Sequence, residues 1–152
     1  MDVLARAAEP DDVEPLRRLR ADAAGEIEQA RGGRLLLQVP PKGGAPSSRT
    51  APRFTAVATI DGVVVGYLDA GLHELEDGSV LCRVDSVYVE PPARAVGAGE
   101  ALVELLSSWA RAGGAVGIDA VALPGARETK NFFESHGFSA RLLVMHHDLT
   151  RS

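Results

Sequence analysis

Cysteine is nearly missing from this sequence: Cys82 is the only one in 152 residues. That excludes an internal disulfide framework and any cysteine-rich zinc site. No stretch reaches the roughly 18 consecutive apolar residues of a membrane span. The opening MDVLARAAEPDD turns acidic where a signal peptide carries its apolar run. A cytoplasmic chain without membrane attachment is therefore expected. No internal repeat recurs at solenoid or propeller periods. An excess of positive charge is also lacking, with 16 Lys and Arg against 21 Asp and Glu and a net charge of -5. Such a chain lacks the field that draws nucleic-acid phosphates, so no nucleic-acid partner is expected.

What is present is ordinary globular material: 45% hydrophobic and 24% charged residues, both near the average for folded domains. The length suits one domain over residues 1–152. Val3–Ala8 reads as an opening strand. A helix follows, with Asp11 or Asp12 as N-cap and Pro15 in the first turn, where its missing N–H does little harm. Val13, Leu16, Leu19, Ala23, Ile27 and Ala30 mark one face of it, and Gly32-Gly33 stops it. Leu35–Val39 is apolar, a short strand or a flap. The Pro-, Gly- and Ser-rich stretch at about 40–53 reads as a flexible loop, either a substrate lid or a tolerated insertion.

Three strands come next, Phe54–Ile60, Val63–Leu75 and Ser79–Glu90. Asp61-Gly62 and Asp77-Gly78 between them are tight-hairpin signals. After Glu90-Pro91-Pro92 a glycine-bearing turn leads into a helix with Leu102, Leu105, Leu106 and Trp109 on one face. Val116–Leu123 reads as a buried strand, 126–135 as a shorter helix, and Ser139–Leu149 as a last strand. The order β-α-β-β-β-α-β-α-β predicts a mixed α/β fold with helices on one central sheet.

The chemistry concentrates in Val87-Tyr-Val-Glu-Pro-Pro-Ala-Arg-Ala-Val-Gly-Ala-Gly99. A strand ends, the chain turns, and a helix starts. Gly97 and Gly99 lack Cβ, so backbone can press close to a ligand. The unpaired N–H groups of the new helix and its dipole favour an anion there, with Arg94 beside them. This combination suits a pyrophosphate. A dinucleotide fingerprint needs a third glycine where Leu102 stands, and the Gly-Lys-Ser/Thr of a Walker loop is missing.

The pattern V-Y-V-x-P-x-x-R-x-x-G-x-G followed by a helix resembles the acyl-CoA loop of the GNAT-type N-acetyltransferases. Asn131-Phe-Phe-Glu-Ser-His-Gly-Phe138 is similar to that family's second signature. The resemblance implies a mostly antiparallel central sheet of six to seven strands, helices on both faces, and a splayed cleft for acetyl-CoA. It implies that Val87, Tyr88 and Val89 line the pantetheine arm, with the Val89 N–H polarising the thioester carbonyl. It implies that Arg94, Ala95, Val96, Gly97, Ala98 and Gly99 hold the pyrophosphate, and that Glu100 begins the supporting helix. An acceptor amine on a small molecule or peptide attacks directly.

Asp85 falls where family members often carry a carboxylate. It serves as base through water, as substrate contact, or only as a partner of a neighbour such as Arg83. The tyrosine that commonly protonates the departing thiolate is Phe133 here, which has no proton to give. The asparagine that contacts pantetheine in the family falls near Ala126, with Lys130 and Asn131 as replacements. Tyr88, Ser86 and Ser135 are candidate proton donors. No metal is expected: His146 and His147 point to opposite faces if on a strand, and His73 and His136 stand alone. Cys82 and Trp109 read as core. The run Glu74, Glu76, Asp77 is a solvated turn or an acidic acceptor mouth. Two rivals to an acetyltransferase are a CoA-binding module with little turnover and a nucleotide-phosphate binder using the same loop. The resemblance also makes a homodimer through the last strands plausible.

Overall fold

A computed structural model describes residues 1–38, 51–124 and 126–150. The loop expected at about 40–53 lies mostly outside those residues. Strands β1 (Val3–Ala7), β2 (Arg53–Ile60), β3 (Val63–Glu74), β4 (Val80–Val89) and β5 (Ala115–Asp119) form one sheet in the order β1-β2-β3-β4-β5. The first three pairings are antiparallel and β4–β5 is parallel. Helices α1 (Val13–Gln29), α2 (Gly33–Gln38), α3 (Ala98–Ala112) and α4 (Arg127–Ser135) complete the fold.

Strand alternation sends successive side chains to opposite faces, and a different helix covers each face. Ala56, Ala58, Leu68, Ala70, Cys82 and Val84 meet Leu102 and Leu106 of α3. Val57 and Tyr67 meet Leu16, Leu19 and Ala23 of α1. Leu102 and Leu106 are fully buried, and each contributes about 1.5–3 kcal/mol by leaving water. Trp109 joins this core by stacking on Phe54 at 4.9 Å. The start of α1 is fixed by Asp12, which accepts from Arg6 at 2.7 and 3.1 Å and from the Glu9 N–H at 2.7 Å. The Arg6 bonds hold the Asp12 carboxyl below its usual range.

Asp61-Gly62 makes the expected two-residue turn, with φ of 49° and 83° and Ile60 paired to Val63. Other expectations need correction. The second hairpin closes with a five-residue loop, because Glu74 pairs with Val80 and Asp77 accepts from the Ser79 N–H and hydroxyl. Leu35–Leu37 lie in α2 rather than in a strand. Among the described residues the sheet has five strands rather than six or seven. Ser139–Leu149 form no strand: only Arg141 is seen to bond the sheet, through an ion pair with Asp119 at the end of β5, and Leu142, Leu143, Val144 and Met145 are 62–88% exposed. The strand expected over Val116–Leu123 is shorter and only half-buried. No helix among the described residues is long and apolar enough to cross a membrane.

Candidate active site

The site is built at the end of β4. β5 accompanies β4 only from Val80 to Arg83, where Arg83 pairs with Asp119. Beyond that point the β5-side edge of β4 pairs with no strand among the described residues. β3 stays paired along the other edge to Val89, and the Glu90 N–H continues the ladder to the Val65 carbonyl at 2.9 Å. Backbone groups alternate sides along a strand. Glu90 and Tyr88 therefore direct theirs to β3, and Val87 and Val89 direct theirs into the opening. The Val89 carbonyl is found there, accepting from Arg94 Nε at 2.8 Å.

A short 3-10 turn over Pro91–Ala93 brings the chain to Gly97, the N-cap of α3. Gly97 has φ of 95°, a conformation that costs an L side chain about 1–2 kcal/mol. Gly97 has no side chain to cap this helix end, so among the described residues the N–H groups of its first turn remain available beside the open edge. Ala95 and Glu100 are exposed, Val96 is half-buried, and Ala98 and Gly99 are buried.

Gly99 has a role the sequence did not disclose. A Cβ there would lie 2.8 Å from Cε2 of Phe132. Its small size thus lets α4 pack on α3, a reason that adds to the expected approach of phosphate oxygens. Arg94 is likewise already engaged. It donates to Glu26 of α1 at 2.8 Å, lies 3.6 Å from Glu128 of α4, and sits over the Tyr88 ring at 5.4 Å. Arg18 of α1 pairs with Glu90. Two reciprocal ion pairs therefore dock α1 onto the loop.

Phe133 is buried between Phe132 and Phe138, at 5.3 and 5.0 Å between ring centroids. It provides packing and no proton. Lys130 is exposed and paired with Glu134 at 3.0 Å, and Asn131 is exposed. Ser135 donates to the Phe132 carbonyl at 2.7 Å within its own helix. Ser86 shares a 2.6 Å hydrogen bond with the Tyr67 hydroxyl. Burial raises the Tyr67 and Tyr88 phenols above their ordinary value.

Asp85 sits at a β-bulge. Asp69 pairs with Ser86 and Ala70 with Val84, so Asp85 is the extra residue. A bulge turns its side chain to the same face as Ser86. Its partner there is Arg53 of β2, which donates to it at 2.6 Å. Cys82 is fully buried, and burial pushes its thiol up to about 11, which leaves it a packing residue. No group of His, Cys, Asp and Glu that would hold a metal exists among the described residues.

The sequence model of the acetyltransferase (GNAT) domain matches residues 51–140. The solved structure of the aminoglycoside N-acetyltransferase AAC(6')-Iy in complex with CoA is similar at a TM-score of 0.70 and 20% identity, covering 95% of this chain and 97% of that one. The ribosomal-protein-alanine N-acetyltransferase from Brucella melitensis biovar Abortus 2308 gives 0.69 at 19% identity, over 97% of this chain and 100% of that one. An acetyltransferase from Trypanosoma brucei gives 0.65 at 21% identity, again over 97% and 100%. At these identities the likeness establishes the fold. No curated protein matches the chain.

The chain belongs to the GNAT acetyltransferase family. It is an acetyl-CoA-dependent N-acetyltransferase, and acetyl-CoA is its acyl donor. The residues present fit that donor: an open strand edge offers backbone groups to an amide-bearing arm, and an uncapped helix N-terminus adjoins it for a pyrophosphate.

Proposed function

We propose that the chain transfers an acetyl group to a primary amine on a small molecule or peptide. The observation that carries this is the free edge of β4, where Val87 and Val89 turn their backbone groups away from β3. In this reading the thioester lies along that edge with its carbonyl oxygen on the Val89 N–H, whose partial charge stabilises the oxyanion that forms on attack. Gly97, Ala98 and Gly99 direct helix N–H groups at the pyrophosphate, with Arg94, Ala95 and Val96 around it and Glu100 in the supporting turn. Tyr88 packs beneath Arg94. Lys130 and Asn131 reach the donor from α4, and Phe133 shapes its wall.

Asp85 takes the proton of the incoming ammonium, through a water where the distance requires it. The neutral nitrogen attacks, the C–N bond forms, and the C–S bond breaks. The second amine proton passes to the sulfur by way of solvent, since Phe133 has none to give. A thiolate is a good enough leaving group for this.

Aminoglycoside and ribosomal-protein-alanine acetyltransferases among the solved structures support small-molecule and peptide amines as acceptor classes. In this reading the protein works in the cytoplasm, where acetyl-CoA is available, and touches neither nucleic acid nor membrane. Two copies pair through residues 139–149 and the outer edge of β5, a pairing supported by the exposure of Leu142–Met145. The test of the function is thiol release from acetyl-CoA over a panel of amines, peptides and aminoglycosides. Amine-dependent release supports transfer. Tight CoA binding without release from any acceptor supports a CoA-binding module instead.

A further inference from the structure

The sheet face beneath α1 carries a polar floor that the donor site does not use. Alternation and the bulge bring Arg53 and Thr55 of β2, Asp69, Gly71 and His73 of β3, and Arg83, Asp85 and Ser86 of β4 to this face. Asp69 and Asp85 on it are already matched by guanidinium groups of the chain. Asp69 accepts from Arg20 of α1 at 2.8 and 3.2 Å and from the Thr55 hydroxyl at 2.6 Å. Asp85 accepts from Arg53 at 2.6 Å. Arg53 reaches Asp85 across β3 over Gly71, its register partner, where a Cβ would stand in ordinary contact with Arg53 Nη1 at 3.8 Å.

His73 marks the same floor as a binding surface. It is 5% exposed, and neither ring nitrogen has a hydrogen-bond partner among the described residues. An unpartnered buried imidazole is costly unless a ligand supplies the bond. Its Nε2 lies 3.5 Å from where a Gly71 Cβ would stand, beside the Arg53 path. Burial, and then Arg83, hold it below its ordinary value against the opposing pull of Asp85.

This floor is a poor match for a polycation, because each of its carboxylates is already held by a guanidinium: Asp69 by Arg20, Asp85 by Arg53, and Asp119, the register partner of Arg83, by Arg141. The Arg53–Asp85 pair instead presents one charge of each sign side by side, with the Arg53 side chain 59% and the Asp85 side chain 34% exposed. An exposed pair is cheap to open. Resting on the transferase reading above, we propose that the acceptor is an amine that also carries a carboxylate, such as an amino acid or short peptide. Its carboxylate takes Arg53 and releases Asp85 for its ammonium, and His73 bonds a further polar group of the same molecule. The intramolecular ion pair thus holds the places of the substrate's two charges.

The test compares kcat/KM, by thiol release from acetyl-CoA, for amino acids and dipeptides, their C-terminal amides, spermidine and an aminoglycoside. The free carboxylates are expected to exceed their amides and the polycations by at least tenfold. Arg53→Gln is expected to reduce the acid-to-amide ratio below threefold, and Arg53→Lys, which keeps the charge, to retain most of it. Amides or polycations accepted as well as the free acids overturn the inference and leave the transferase reading standing. So does an acid-to-amide ratio unmoved by Arg53→Gln in a protein that melts as wild type does. Absence of release with every amine overturns the transferase reading and this inference with it.

Discussion

Phe132 lies so close to Gly99 that a methyl group on the glycine would stand 2.8 Å from the ring edge. The second glycine of the loop therefore couples the α3 N-terminus to α4. Gly99→Val should lower CoA affinity and also lower the unfolding free energy by about 1–3 kcal/mol through overpacking. Phe132→Leu in the same chain removes the ring edge and should restore much of the stability. Urea denaturation of the wild type and these two variants, read beside CoA titrations, checks this. A fully stable Gly99→Val protein would show that the contact yields without cost.

Arg94 is bound at both ends, to Glu26 and near Glu128. A pyrophosphate must compete with these carboxylates for it. Arg94→Ala should weaken CoA binding by about 1–3 kcal/mol, the loss of a charge-assisted hydrogen bond. Glu128→Gln should tighten binding about twofold to fivefold, because it removes an exposed anion from the site. Calorimetric titration of CoA at low salt measures both. Weaker binding in Glu128→Gln would mean that Glu128 orients Arg94 rather than competing for it.

The pH response of stability follows from His73. Its folded pKa lies below the ordinary histidine value, chiefly through burial. In the unfolded chain it takes a proton near pH 6.5, so between that pH and its folded value the unfolded state binds more protons. Stability is therefore full above about pH 6.5 and declines as pH falls through that window. Urea midpoints at pH 7.5 and 5.5 should differ more in the wild type than in His73→Gln. Equal differences would show that other groups govern the acid response.

What the sequence discloses depends on how local each cause is. The Asp61-Gly62 turn was legible because two adjacent residues adopt the positive φ that a tight hairpin needs. The strand, turn and helix of the proposed donor loop were legible for the same reason, all lying within Val87–Gly99. The second reason for Gly99 was not, because Phe132 lies 33 residues further on. Asp85 invited pairing with nearby Arg83, yet Arg53 reaches it across a strand register that only the fold sets. Leu35–Leu37 was ambiguous because a short apolar run fits helix and strand alike. Leu142–Met145 has strand-like composition but no neighbouring strand among the described residues.

That apolar run supports the proposed pairing of two copies. Leu143→Asp, at a position 79% exposed, should leave the melting temperature of a monomer unchanged and shift a dimer toward monomer. Light scattering across a concentration series reads the outcome. A wild-type chain that remains monomeric at high concentration would exclude this pairing.

The central claim is that acetyl-CoA seats along the open edge of β4 and on the first turn of α3. Amide chemical shifts during a CoA titration test it most directly, because they report the backbone groups on which the claim rests. The account predicts the largest changes at Val87, Val89, Gly97, Ala98, Gly99 and Glu100, with little change at Val3–Ala7 or along the hollow lined by Ser107, Arg111 and Val116. Saturable changes centred on that hollow, with Val89 and Gly97–Gly99 unmoved, would contradict it.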